Sequence, residues 1–261
     1  MSDSLPAPID IRLMNLTTMI LVLVLCALSI IAAVAWCARN PVFDIRRITV
    51  LGDMQHNNAV TLRANVAPRL TGNFFTLDLA QARAAFEAVP WVRRAVVRRE
   101  FPDRLRVVLE EHKPVAYWGP EGESRLVNHM GEVFEANIGE VETDDLPRLM
   151  GPEGQAAAVL RTFEAIKPLF ASLDAAPDEL ALSGRGGWRV LLDTGAMLEL
   201  GRGTAEEVAG RTERFLRTVT QVTSKYGRQI DSIESADLRH VDGYALRLRG
   251  VTTTGADGQK K

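Results

Sequence analysis

Phe101-Pro-Asp-Arg-Leu-Arg-Val-Val-Leu-Glu-Glu-His-Lys-Pro-Val-Ala-Tyr-Trp118 is the stretch on which the fold turns. Leu105, Val107 and Leu109 alternate with Arg104, Arg106, Val108 and Glu110, and a period of two places the apolar set on one face of a half-buried strand. Phe101-Pro-Asp103 joins that strand to a preceding one, Val92 to Glu100. Upstream lie two helical patterns. Asp78 with Gln81 three residues later has the form of a capping box, after which Leu79, Ala82, Phe86 and Val89 fall on one face until Pro90 stops the helix. Asn58 can cap a shorter helix through Val66, with Pro68 helping to end it. Before both, Phe43-Asp-Ile-Arg-Arg-Ile-Thr-Val-Leu-Gly52 reads as a strand running into a turn. The order is β-α-α-β-β.

The next stretch outward is Leu13 to Ala38, twenty-six residues without Asp, Glu, Lys, Arg or His. A helix rises about 1.5 Å per residue and needs roughly 20 apolar residues to cross a bilayer, and in lipid it satisfies its own backbone groups. Three readings compete. A buried core helix would show a polar stripe or be shorter. A cleaved signal peptide finds a small-residue site in Ala33-Val-Ala35, but the apolar run is long and Arg12 is the one basic residue before it. A retained anchor with Trp36 at the interface is the expectation adopted; Trp36 ahead of Cys37 also argues against a lipid-modified cysteine. Counting arginines sets Arg12 against Arg39, Arg46 and Arg47, which favours a cytoplasmic soluble part.

About 220 residues follow the anchor, enough for two ordinary domains. Residues 40–113 carry twelve basic and eight acidic side chains, residues 114–261 seventeen and twenty-three, so the overall charge of −2 hides a basic and an acidic half. Cys26 and Cys37 both lie in the anchor region, which leaves the rest without a disulfide or thiolate chemistry. Arg93, Arg94, Arg98, Arg99, Arg104 and Arg106 sit on the paired strands; they form either a basic patch or the solvated face of a sheet.

Beyond Trp118 the expected elements are a hairpin over Arg125–Asn128 and Glu132–Phe134, an acidic loop from Glu140 to Asp145, a segment Leu146–Met150, and a helix from Ala156 to Leu173 interrupted at Pro168. A meander of Glu179–Leu182, Trp188–Leu192 and Met197–Leu200 follows. Thr204 with Glu207 gives a second capping box for a helix to about Tyr226, closed by Gly227. Ile230–His240 and Tyr244–Arg249 supply the last strands, and the polar tail from residue 250 is expected to be disordered. The fold class expected is α+β: a single N-terminal transmembrane helix, then the β-α-α-β-β domain, then a second α+β domain with a mainly antiparallel sheet. The divisions are 1–12 (short tail), 13–38 (membrane helix), 43–113, 114–249 and 250–261.

The first domain resembles a POTRA domain, in particular that of the bacterial division proteins FtsQ and DivIB, on the strength of Phe43–Gly52, Pro90-Trp-Val92 and Phe101–Trp118. Leu198-Glu-Leu-Gly-Arg-Gly203 and the run from Ala236 to Leu248 are similar to later segments of that family. The resemblance implies a non-enzymatic divisome scaffold in the inner membrane, N-terminus cytoplasmic, soluble part periplasmic and enriched at the septum. Its implied partners are FtsB, paired with FtsL, on the C-terminal strand, and FtsK on the first domain, with no small-molecule substrate. Matched onto this chain, the partner-binding residues are Arg239, His240, Asp242, Gly243, Leu246 and Leu248, with Arg185 in the preceding glycine turn. Two positions depart from the family pattern: His240 stands where a Tyr is common and Leu248 where a Trp can stand, so the apolar anchor is smaller. The alternative is a POTRA-bearing polypeptide chaperone or translocation component.

Catalytic chemistry is not expected. His56, His112, His129 and His240 are scattered and read as surface residues, no metal or cofactor motif is present, and Gly201-Arg-Gly-Thr204 lacks the Gly-Lys-Ser/Thr ending of a phosphate loop. Asp144-Asp145 lies in a polar loop and has no apolar wall to raise a pKa. The basic strands carry few aromatics, which argues against nucleic acid. If the last strand is a sheet edge, it can accept a strand from a partner, and Arg247 and Arg249 discourage unwanted pairing.

Overall fold

The computed structural model describes residues 9–141, 146–172, 175–240 and 243–250. Residues 1–8 of the short tail, Glu142–Asp145 of the acidic loop, Leu173, Asp242 and the tail from 251 therefore lie outside the described residues. The chain forms two compact units, Met1–Glu111 and His112–Lys261.

The first unit begins with helix α1, Ile9–Arg39, whose stretch Asp10–Cys37 is long and apolar enough to cross a membrane and has no buried residue in its most apolar window. The core-helix reading of this segment is thereby excluded. Strand β1 is Arg47–Gly52, shorter than the Phe43–Gly52 expected because Pro41–Phe43 forms a 3-10 turn instead. Helices α2 (Ala59–Val66) and α3 (Leu79–Glu87) follow, then β2 (Val92–Glu100) and β3 (Arg104–Glu111). Asn58 caps α2 by accepting the Thr61 N–H at 2.8 Å, and Asp78 caps α3 by accepting from Ala80 and Gln81. The sheet order is β1-β3-β2, β1 parallel and β2 antiparallel to β3. The alternation in β3 works as expected: Leu105, Val107 and Leu109 are buried, with Phe86 of α3 and Leu62 and Val66 of α2 against the same core. Gly52 has φ 104°, and a Cβ there would stand 2.1 Å from the Leu109 carbonyl oxygen, so only glycine fits.

The arginines of β2 and β3 are largely engaged at home. Arg93 pairs with Glu110 at 2.8 Å, Arg106 with Glu100 at 3.1 Å, and Arg99 donates to the Leu77 carbonyl at 2.5 Å. This supports the solvated-face alternative for Arg93, Arg99 and Arg106.

In the second unit, β4 (Pro114–Trp118), β5 (Arg125–Asn128), β6 (Val133–Glu135) and β7 (Arg148–Met150) precede helix α4, Ala156–Ile166. The helix passes into a 3-10 segment, Lys167–Ser172, at the point where Pro168 lacks an N–H to donate. The meander is β8 (Pro177–Leu182), β9 (Gly187–Leu192) and β10 (Met197–Arg202); helix α5 is Ala205–Lys225 with the full Thr204–Glu207 capping box; β11 (Ile233–Asp237) and β12 (Ala245–Leu248) close the domain. Among the described residues the strands form one nine-stranded sheet in the order β12-β11-β10-β9-β8-β7-β4-β5-β6. Most pairs are antiparallel; β10–β11, β4–β7 and β7–β8 are parallel. Helices α4 and α5 pack on each other and on this sheet, and Val190, Leu198, Leu200, Phe163, Val208 and Phe215 are buried in the shared core.

Candidate functional site

Strand β12 ends the sheet. It pairs with β11 on one side, in the register Asp237↔Ala245, Ala236↔Leu246 and Ser235↔Arg247, and among the described residues no strand lies on the other. Arg249 N–H donates to the Ser232 carbonyl at 2.8 Å. Since backbone groups alternate along a strand, Arg247 and Ala245 share that inward direction, and the N–H groups of Leu246 and Leu248 face the open edge. Side chains alternate as well: Ala245 and Arg247 are exposed, Leu246 is half-buried and Leu248 is buried in the core. The expectation that Leu248 offers an apolar anchor to a partner is corrected here, because its side chain is 7 % exposed and holds the strand down from inside.

Two side chains brace the strand. Arg247 pairs with Glu234 of β11 at 3.1 Å, and Arg249 reaches past β11 to donate to the Thr194 carbonyl, in the β9–β10 turn, at 2.8 Å. Tyr244, just before β12, meets Phe215 of α5 edge-on with ring centroids 4.9 Å apart, and its hydroxyl lies 3.1 Å from that of Thr218.

Arg239 follows β11. Its guanidinium takes both oxygens of Asp237, from Nε at 2.9 and 3.0 Å and from Nη2 at 2.6 Å, while its backbone N–H donates to the same carboxylate at 3.0 Å. These hydrogen bonds hold the Asp237 carboxyl down at about 2, and the same bonds raise Arg239 above its ordinary value. Gly201 of β10 makes room for it, since a Cβ there would come 3.2 Å from Arg239 Cγ. The side chain is nonetheless 63 % exposed, so its outer surface stays open to a second anion.

Of the residues expected to bind a partner, the structure brings together Arg239, His240, Gly243 and Leu246 at the start of β12. Arg185 is exposed in the β8–β9 turn, at the same end of the sheet, with β10 standing between β9 and β11. Asp242 lies outside the described residues. A groove of about 570 Å³ beside these residues went unread in the sequence; it is lined by His240, Gly243 and Tyr244 on one bank and by Arg211, Arg214 and Arg217 of α5 on the other. The three-residue spacing of those arginines was the available signal. Arg211 donates to the Arg202 carbonyl and Arg217 pairs with Glu213 at 3.1 Å. Among the described residues the lining of the groove is cationic.

Two histidines expected at the surface are half-buried against aromatic rings. His56 stacks on Trp91 at 3.8 Å and faces Glu111 at 3.2 Å, and His112 stacks on Phe134 at 4.1 Å. Among the described residues no three His, Cys, Asp or Glu side chains converge as a metal site would require.

Residues 43–112 match the family model of the FtsQ-type POTRA domain, and residues 116–239 that of the C-terminal region of cell division protein FtsQ/DivIB. The second match stops before β12. Cell division protein FtsQ of Burkholderia pseudomallei is 41 % identical over 254 residues, 97 % of this chain and 99 % of its own. Its counterpart in Thiomonas arsenitoxydans is 39 % identical over 252 residues, 95 % and 91 % of the two chains, and that in Bordetella pertussis 38 % identical over 257 residues, 92 % of each.

Proposed function

The chain belongs to the FtsQ/DivIB family of cell division proteins, and from that premise we propose that it is a membrane-anchored, non-enzymatic scaffold of the division machinery whose β12 edge receives a strand from FtsB, bound to FtsL. The observation that carries this reading is the open edge of β12, with the outward N–H groups of Leu246 and Leu248 beside the exposed, pre-oriented Arg239. A partner strand gains affinity from the ladder. The cationic groove next to it favours acidic side chains on the partner, and Arg239, His240, Gly243 and Arg185 line the approach; Asp242 belongs to the same segment. Leu246 and Leu248 contribute their backbone.

Helix α1 anchors the chain as a single span of the inner membrane, with the soluble part in the periplasm and the protein concentrated at the septum. Arginine counting points the other way, and family membership is what supports this orientation; active alkaline phosphatase fused after Arg39 is the expected result, an inactive fusion overturns it. The first domain serves upstream division proteins such as FtsK.

Hydrogen exchange on the full chain tests the strand addition. Binding of the FtsB–FtsL pair slows the amides of Leu246 and Leu248 by roughly 10²-fold, whereas Ala245 and Arg247, already bonded to β11, change little. A bound complex that leaves both outward amides at their free rates removes β12 as the site.

A further inference from the structure

We propose that the first domain rests on the bilayer itself through a pad of four phenylalanines, Phe43, Phe74, Phe75 and Phe101, and that the lipid interface is its occupant. The inference rests on the reading of α1 as a membrane anchor. The four rings form one connected cluster: Phe43 meets Phe75 edge-on at 4.9 Å, Phe75 meets Phe74 at 5.3 Å, and Phe74 meets Phe101 at 5.8 Å. Folding leaves Phe75 50 % and Phe101 72 % exposed, with Phe43 and Phe74 half-buried beside them. A contiguous exposed apolar patch of this kind marks an interaction surface.

Its position names the partner. Asn73, immediately before Phe74-Phe75, donates from Nδ2 to the Cys37 carbonyl in the last turn of α1 at 3.0 Å. The Asn73 Oδ1 atom accepts the N–H groups of Phe75 at 3.0 Å and Thr76 at 3.1 Å, and Phe74 N–H donates to the Phe43 carbonyl at 2.8 Å, so the loop that displays the rings is held rigid against the helix end. Next to this corner in the chain stand Val42, 61 % exposed and directly before Phe43, and Trp36, 63 % exposed and directly before the bonded Cys37. Charged groups of both signs flank the pad: Arg46 is exposed and donates its backbone N–H to the Asp103 carbonyl at 2.9 Å, Arg104 faces the Asp103 carboxylate at 3.9 Å, and Asp44 directly follows Phe43. Apolar rings beside arginines, at the level where a spanning helix leaves the hydrocarbon, match the acyl–headgroup boundary.

The test is site-directed spin labelling of the full chain, with Cys26→Ala and Cys37→Ala, in vesicles of phosphatidylcholine and phosphatidylglycerol. Single labels are placed through Phe75→Cys, Phe101→Cys, Leu25→Cys inside the span, and Val96→Cys on the exposed side of β2. The ratio of oxygen to nickel-chelate collision rates is expected to be at least about threefold higher at positions 75 and 101 than at 96, as for a group at the interface. Aqueous ratios at 75 and 101 with a lipid ratio at 25 overturn the pad and leave the anchor standing. An aqueous ratio at 25 overturns the anchor and the pad with it.

Discussion

Glu111 and Asp237 both have carboxyl groups held below their ordinary range, and they do opposite work. Glu111, at the end of β3, is 4 % exposed and faces the backbone N–H groups of Gln55, His56 and Asn57 at 3.0–3.1 Å, with Asn57 Nδ2 at 3.0 Å. Burial pushes its pKa up; the hydrogen bonds from the His56 backbone, the Asn57 side chain and their neighbours outweigh it and bring the group below the usual value. This carboxylate pins a loop to a strand. Asp237 lies at the surface, and its lowered value comes first from Arg239, a cation it orients toward solvent. A depressed pKa thus marks architecture in the first domain and an exposed ion pair in the second, and the exposure of the groups that bond the carboxylate tells them apart.

The largest effect that sharpens this contrast is expected from Glu111→Gln. With donors left facing a poorer acceptor inside the fold, the first domain loses about 2–4 kcal/mol, read as exchange at the amides of residues 55–57 accelerating by roughly 10²-fold. A loss under about 1 kcal/mol would make Glu111 no different from a surface pair. The pH dependence has a defined sign. A carboxyl depressed in the folded state contributes fully above its unfolded pKa, near ~4.3, and the contribution disappears as pH falls through the folded value, so acid loosens this loop.

Next in size, Arg239→Ala should weaken FtsB–FtsL binding about tenfold while the thermal transition of the second domain falls only slightly, as for an exposed ion pair. A large fall in the transition with unchanged binding would reassign Arg239 to architecture, beside Glu111. Thr204→Ala supplies the opposite control: it removes a cap bond of α5 and is expected to lower second-domain stability by about 1 kcal/mol with no direct effect at β12. The smallest effect is spectroscopic. In Arg239→Ala the Asp237 carboxyl should titrate back in the ordinary carboxylate range, whereas in the intact chain its midpoint stays at about 2; a midpoint that does not move would mean that Arg239 is not what holds it.

Local signals in the sequence carried much of the fold. The Leu105-Val107-Leu109 alternation, the caps at Asn58, Asp78 and Thr204, and the glycine closing β1 each act within a few residues, and each is found in place. Sheet order was not readable in this way: the parallel pairings of β7 with β4 and β8 join segments with nothing local to declare them. The candidate site was legible only in part. Tyr244–Arg249 reads as a strand and a candidate edge, but Leu248 enters the partner-binding set only through the family match, and alternation tells which residues share a face and not which face is covered. Asp237 escaped notice because its partner stands two residues away on an exposed turn, a spacing with no periodic signature. His56 and His112 looked superficial for a related reason: their stacking partners, Trp91 and Phe134, are remote in sequence.

The bond from Asn73 to the Cys37 carbonyl has a mechanical consequence. A domain hung on a free linker averages over every azimuth about its anchor, and rotation of the helix in the bilayer then tells it nothing. With Asn73 clamped to the last turn of α1 and the Asp44–Asn73 bridge closing the same corner, torque about the helix axis passes into the first domain. The face that α1 shows to neighbouring helices in the membrane then also sets the heading of the first domain above it.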